Sequence, residues 1–210
     1  MDKNKILKEI EKRVKEHCKK DSTGHDFSHI DRVRKNALNI AQKEGGDLFI
    51  IELAVLLHDV EDWKTENADT GIVSKWMPEC GVTKDDTDKV NKIIEKISFK
   101  GANHDDKMDT IEGKIVQDAD RLDALGAVGI IRGAQYGVSN RIPYYDPLIK
   151  PDPNPSPEKI KKSTSINHFY EKLLLLKDRM NTETARMIAK KRHDFMKLFL
   201  EQFFEEWDAK

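Results

Sequence analysis

The sequence predicts an all-α, single-domain protein, and three observations carry that prediction. Apolar residues recur three and four apart through most of the chain, the period of a helix buried on one face. No stretch alternates β-branched and polar residues long enough to suggest a sheet. Glycine and proline break the periodicity between stretches, at Gly45-Gly46 and across 137–157. At 210 residues, one helical bundle with a sizeable core is the expectation for 1–210.

The elements follow in order. Ile6, Leu7, Ile10, Val14 and Cys18 give a first helix its apolar side, and Asp21-Ser22-Thr23-Gly24 ends it. Phe27, Ile30, Val33, Ala37, Ile40 and Ala41 form the next stripe, stopped by Gly45-Gly46. Asp47 is placed to cap a third helix, Leu48 to about His58, whose near-continuous apolarity marks it as central. Further helices are predicted at about 69–79, 86–97, 111–123 and 124–136.

Segment 137–157 carries Gly137, Asn140, Pro143, Pro147, Pro151, Pro153, Pro155 and Pro157, so it reads as an ordered or semi-ordered loop. Two long helices close the chain, at about 158–178 and 182–207. Leu173 to Leu176, Phe195, Met196, Leu198, Phe199, Leu200, Phe203 and Phe204 are assigned to the core.

Composition narrows the function classes. The 37 basic and 38 acidic residues leave a net charge of −1, so no stable nucleic-acid or membrane binding is expected. No stretch approaches the roughly 18 apolar residues of a membrane span. The N-terminus leads into a charged amphipathic segment rather than an apolar signal core. Cys18 and Cys80 lie far apart and read as two reduced thiols, so a cytoplasmic location is expected. Phosphate-loop, GxSxG and HExxH motifs are missing. Nothing in the sequence sets an oligomeric state.

The most informative residues stand at the end of the third helix. His58-Asp59 follows the apolar run Leu53-Ala54-Val55-Leu56-Leu57, with Glu61 and Asp62 just after. A lone histidine in a helical protein is more often a satisfied core residue than a ligand. An aspartate at the end of a buried helix is different, because its burial is costly unless it is paired or bound to a cation. Imidazole and carboxylate together suit a hard or borderline divalent metal.

Four further segments extend the pattern. His25-Asp26-Phe27-Ser28-His29 lies upstream, Ala119-Asp120-Arg121-Leu122 downstream, and Ser98-Phe99-Lys100-Gly101 and His168-Phe169-Tyr170-Glu171-Lys172 flank them. The order His, His-Asp, Asp on helix-like segments resembles the HD-domain metal-dependent phosphohydrolase superfamily. The flanking segments resemble its small bacterial and archaeal hydrolases, with the likeness covering about residues 20–205. The resemblance implies an HD-type helical bundle. It also implies one divalent ion held by His29, His58, Asp59 and Asp120. Asp120 rather than Asp118 follows the family's Ala-Asp-x-Leu pattern. The mixed ligand set suits Mn, Mg, Co, Ni, Fe or Zn without choosing among them.

Such an ion calls for a carboxylate to orient water or take its proton; Asp62 and Glu61 are the local candidates, Asp62 favoured. Lys64 follows the motif closely and is a candidate catalytic cation. His25, Lys100, His168 and Lys172 are candidate substrate contacts; His25 precedes His29 by four residues, and His168 precedes Lys172 by four. Any single one of these cations would ordinarily be solvated surface. The expected substrate is a small phosphorylated molecule, a nucleotide, and the family likeness suggests release of diphosphate from a triphosphate. A nucleotide monophosphatase or a cyclic-nucleotide phosphodiesterase is the enzymatic alternative. A nucleotide-sensing module without turnover is the rival of another class.

Overall fold

The computed structural model describes residues 2–20, 27–61, 71–97, 107–152 and 162–210. The predicted stop at Asp21-Ser22-Thr23-Gly24 lies outside them. Among the described residues the regular structure is entirely helical, and no helix is long and apolar enough to cross a membrane. The chain forms two compact units, Met1–Asp120 and Arg121–Lys210.

The first unit holds α1 (Lys3–His17), α2 (Phe27–Glu44), α3 (Leu48–Leu57), α4 (Ile72–Glu79), α5 (Lys84–Ile97) and most of α6 (Ile111–Asp123). Asp2 starts α1 by accepting the Asn4 N–H at 3.0 Å, and the predicted stripe Ile6, Leu7, Ile10 and Val14 is buried. Gly45 and Gly46, at φ +84° and +98°, end α2 in a conformation that L side chains rarely adopt. Asp47 then caps α3 through the Phe49 N–H at 2.9 Å, as the sequence predicts.

Helix α3 buries Phe49, Ile50, Ile51 and all of Leu53–Leu57. Each large side chain among them contributes about 1.5–3 kcal/mol of transfer free energy, so this helix anchors the unit. Its polar exception, Glu52, pairs with Arg34 of α2, which also bonds Glu11 of α1 at 3.1 Å. Three helices are thereby joined through one guanidinium. Helix α6 is fixed at both ends of its stay in this unit. Glu112 accepts the Asp47 N–H at 3.0 Å, Gln117 donates to the Lys96 carbonyl at 3.2 Å, and Asn36 reaches the Ala119 carbonyl at 3.5 Å.

The second unit holds the end of α6, α7 (Gly126–Ser139), α8 (Ser165–Glu171), a 3₁₀ segment (Leu173–Arg179) and α9 (Glu183–Trp207). The turn from α6 into α7 needs glycine twice. Gly126 has φ +75°, and a Cβ at Gly129 would stand 2.2 Å from the Ala124 carbonyl oxygen. The same turn is held by the Asp123–Arg132 ion pair at 3.0 Å and by Arg192 donating to the Leu122 carbonyl.

The proline-containing segment, in its described part to Asp152, is an ordered loop fastened to α8. Ser165 and Ile166 donate their N–H groups to the Pro143 and Tyr144 carbonyls at 2.9 Å, and Asn167 reaches the Ile149 carbonyl at 2.9 Å. Buried Glu171 accepts from the Asp152 N–H at 3.1 Å and the Ser163 hydroxyl at 2.8 Å. Tyr145 packs edge-on against Phe203, Phe204 and Trp207 of α9.

Two expectations are corrected here. The long helix predicted at about 158–178 is instead α8 followed by a 3₁₀ segment, with residues 153–161 outside the described ones. Thr164 starts α8 by accepting the Asn167 N–H at 3.1 Å, and Lys172, at φ −142°, breaks it. Leu173 and Leu176 are buried three apart, a spacing that aligns side chains on a 3₁₀ turn, whereas Leu175 is exposed. Phe195 and Leu198 also leave the core, at 48% and 60% exposure. The buried face of α9 runs through Ala185, Ala189, Met196 and Leu200, and both residues fall off that stripe.

Candidate metal centre

The first unit gathers the four residues on three elements. His29 stands in the first turn of α2, with Ile30 and Val33 beside it in the core. His58 and Asp59 follow directly on α3, whose apolar length buries whatever leaves its end; the two are 4% and 9% exposed. Asp120 lies on α6, at 31% exposure for its side chain.

Asp59 presents one oxygen to each imidazole. Its Oδ2 is 3.2 Å from His29 Nε2, and its Oδ1 is 3.4 Å from His58 Nε2. Oδ1 of Asp120 is 3.5 Å from His29 Nε2 and 3.8 Å from His58 Nε2. One ligand atom each from His29, His58 and Asp120 lie within 4.8 Å of one another, and the imidazole rings meet at 62°. Asp118, two residues earlier on α6, is fully buried and so faces away from the more open side where Asp120 sits.

The His58 ring shows what this arrangement fits. Its Nδ1 lies 2.8 Å from the Val55 carbonyl, which only accepts, so Nδ1 carries a hydrogen, and the ring in its neutral form turns a lone pair outward at Nε2. That Nε2 is buried and, among the described residues, without a hydrogen-bond partner of proper geometry. Carboxylate oxygens face it at 3.4 and 3.8 Å, acceptors opposite an acceptor. A cation among these atoms resolves the conflict, and a divalent metal coordinates imidazole and carboxylate together.

The same carboxylates set the acid–base balance of the cluster. Burial pushes the His58 imidazole down, but the charges of Asp59 and Asp120 outweigh it and raise its pKa. Burial likewise works against ionised Asp120, yet His29 and His58 hold its carboxyl well below the usual carboxylate range. The carboxylates thus favour positive charge at Nε2, which a proton or a coordinated cation can supply, and Asp120 stays ionised for either.

The other predicted site residues divide. Glu61 is described, and its Oε1 accepts the Val73 N–H of α4 at 2.7 Å. His25, Asp62, Lys64 and Lys100 lie outside the described residues. His168 and Lys172 belong to the second unit, one turn apart, with the Lys172 N–H donating to the His168 carbonyl at 3.0 Å. Burial, reinforced by the Lys172 charge, lowers the His168 pKa to about 4. His168 is thus neutral at pH 7, a point that sequence spacing did not reveal.

Comparison with known proteins places this geometry in context. The HD domain family model matches residues 26–125, a span that includes all four clustered residues. The uncharacterized protein YpgQ of Bacillus subtilis is 41% identical, over 87% of this chain and 84% of its own. The crystal structure of YpgQ in complex with ADP superposes with a TM-score of 0.77 at 38% identity, covering 95% of this chain and 97% of that one. A Lactobacillus plantarum protein superposes with a TM-score of 0.88 at 36% identity, over 98% of both chains. An HD-superfamily hydrolase from Bacillus thuringiensis reaches 0.77 at 44% identity, over 99% of this chain and 100% of that one.

Proposed function

Because the chain belongs to the HD-domain superfamily, we propose that it is a metal-dependent phosphohydrolase acting on a small phosphorylated substrate, a nucleotide. The observation that carries this reading is the buried His58 Nε2, whose lone pair faces two carboxylate oxygens. His29, His58, Asp59 and Asp120 would hold one divalent ion. When bound, such an ion lowers the pKa of coordinated water and neutralises phosphoryl charge.

The chain's own residues supply the rest. The Val55 carbonyl fixes the His58 tautomer, and Asp59 orients both rings. Asp62, three residues after Asp59, is the proposed carboxylate for water. Lys64, Lys100 and Lys172 are the proposed phosphate cations, with His25 and His168 as further substrate contacts. His168, neutral at pH 7, would contribute a hydrogen bond rather than a charge. The complex of YpgQ with ADP supports a nucleotide as the ligand class.

The test is a panel of nucleoside mono-, di- and triphosphates incubated with Mn, Mg, Co or Ni, with products resolved by phosphorus NMR. Release of phosphate or diphosphate with at least one metal is expected. Binding of nucleotide and metal with no product from any combination would replace the enzyme with a sensing module.

A further inference from the structure

Glu61 stands two residues after Asp59, in the turn that leaves α3. Its carboxylate is engaged elsewhere than at the metal centre: Oε1 accepts the backbone N–H of Val73 at 2.7 Å. Val73 is the second residue of α4, and its amide is among those left unsatisfied at the start of a helix. An N-cap side chain ordinarily takes that amide. Here the N-cap is Gly71, at φ +96°, which has no side chain and makes no capping bond.

The missing cap is supplied from twelve residues upstream. The position also suits the charge, since a carboxylate is stabilised at the positive end of a helix. Val60 and Val73 on either side of the contact are 1% and 3% exposed, so both ends of the bridge are set in the core.

We propose that Glu61 is a positioning residue: as the remote cap of α4 it holds the turn that presents Asp59 to the two histidines, and it does not handle the reaction's proton. The proposal rests on the metal-centre reading above and assigns Glu61 a role different from that of an acid or base. A single residue, Val60, separates Asp59 from Glu61, so fixing Glu61 to α4 restricts the backbone that aims Asp59. An untethered turn leaves the Asp59 oxygens free to leave the His29 and His58 nitrogens.

The test compares Glu61→Gln with Glu61→Ala in the full chain. Gln keeps a carbonyl acceptor for the Val73 amide and abolishes any proton transfer; Ala removes both. Three quantities are read: exchange of the Val73 amide by NMR, Mn affinity by calorimetry, and nucleotide hydrolysis. Gln should keep the amide protected, Mn affinity near wild type, and hydrolysis. Ala should expose the amide and weaken Mn binding about 10-fold, the effect usual for losing a residue that orients a ligand. Loss of hydrolysis in Gln with the amide still protected would make Glu61 a proton-transfer group and overturn the proposal. Unchanged amide exchange or Mn affinity in Ala would overturn it as well. Should Ala fail to fold, Gln decides by the same criteria. Wild-type protein that hydrolyses nothing would defeat the enzyme reading alone, because amide exchange and Mn affinity still report on the cap.

Discussion

His29 Nε2 and Asp59 Oδ2 lie 3.2 Å apart, although most of α2 and all of α3 stand between them in the chain. Both side chains belong to buried helix segments, His29 in the first turn of α2 and Asp59 just past the end of α3. A third partner, Asp120, arrives on α6 with Oδ1 3.5 Å from the same His29 nitrogen.

That convergence separates the two neighbouring aspartates of α6. Asp120→Asn should lose most bound divalent metal, whereas Asp118→Asn should retain it. Metal content of the purified variants checks this. Retention in Asp120→Asn together with loss in Asp118→Asn would move the ligand to Asp118.

The neutral His168 makes stability depend on acid. Its pKa is about 4 in the fold, against 6.5 for a free imidazole, so only the unfolded chain takes up its proton between those values. Stability attributable to this residue is therefore complete above pH 6.5 and falls as pH drops toward 4. The loss should be about 2–3 kcal/mol. Urea denaturation at pH 7 and pH 4.5 should show a smaller drop for His168→Gln than for wild type. Equal drops would mean that His168 titrates normally.

Gly129 tests the turn between α6 and α7. A Cβ there meets the Ala124 carbonyl oxygen at 2.2 Å, a backbone atom that cannot rotate away. Gly129→Ala should cost about 1–3 kcal/mol, although alanine is the better helix former. A gain in stability by denaturant melting would show that the turn relaxes freely.

Much of this was readable in the sequence because it depends on local chemistry. The caps at Asp47 and Gly45-Gly46 and the stripes of α1 and α2 follow from periodicity and side-chain type. His58-Asp59 stood out because an acid at the end of Leu53–Leu57 needs a partner. Less local features were hidden. Spacing cannot say that Lys172 leaves helical geometry, nor that Phe195 and Leu198 face solvent, because neighbouring segments decide both. The bond from Glu61 to Val73 replaces a cap that Gly71 lacks, and no motif marks such a long-range substitute. Nor does periodicity show that the boundary between the compact units falls within α6.

The lysines give a prediction about substrate rather than metal. Lys64→Ala, Lys100→Ala and Lys172→Ala should each keep metal content near wild type while lowering kcat/KM. Charge-assisted phosphate contacts are worth about 1.5–3 kcal/mol, or roughly 10- to 200-fold in rate. Steady-state kinetics on the preferred nucleotide measures the loss. Wild-type rates in all three variants would mark them as solvated surface.

The central claim is that one buried cluster holds the metal on which activity depends, and His58 tests it most directly. Its Nε2 is buried beside the Asp59 and Asp120 carboxylates and has no hydrogen bond of proper geometry among the described residues. Metal per chain, measured by mass spectrometry alongside nucleotide hydrolysis in the same preparations, should fall from about one toward none in His58→Ala, with hydrolysis lost in parallel. Full metal occupancy in a folded His58→Ala protein, or undiminished hydrolysis, would contradict the account.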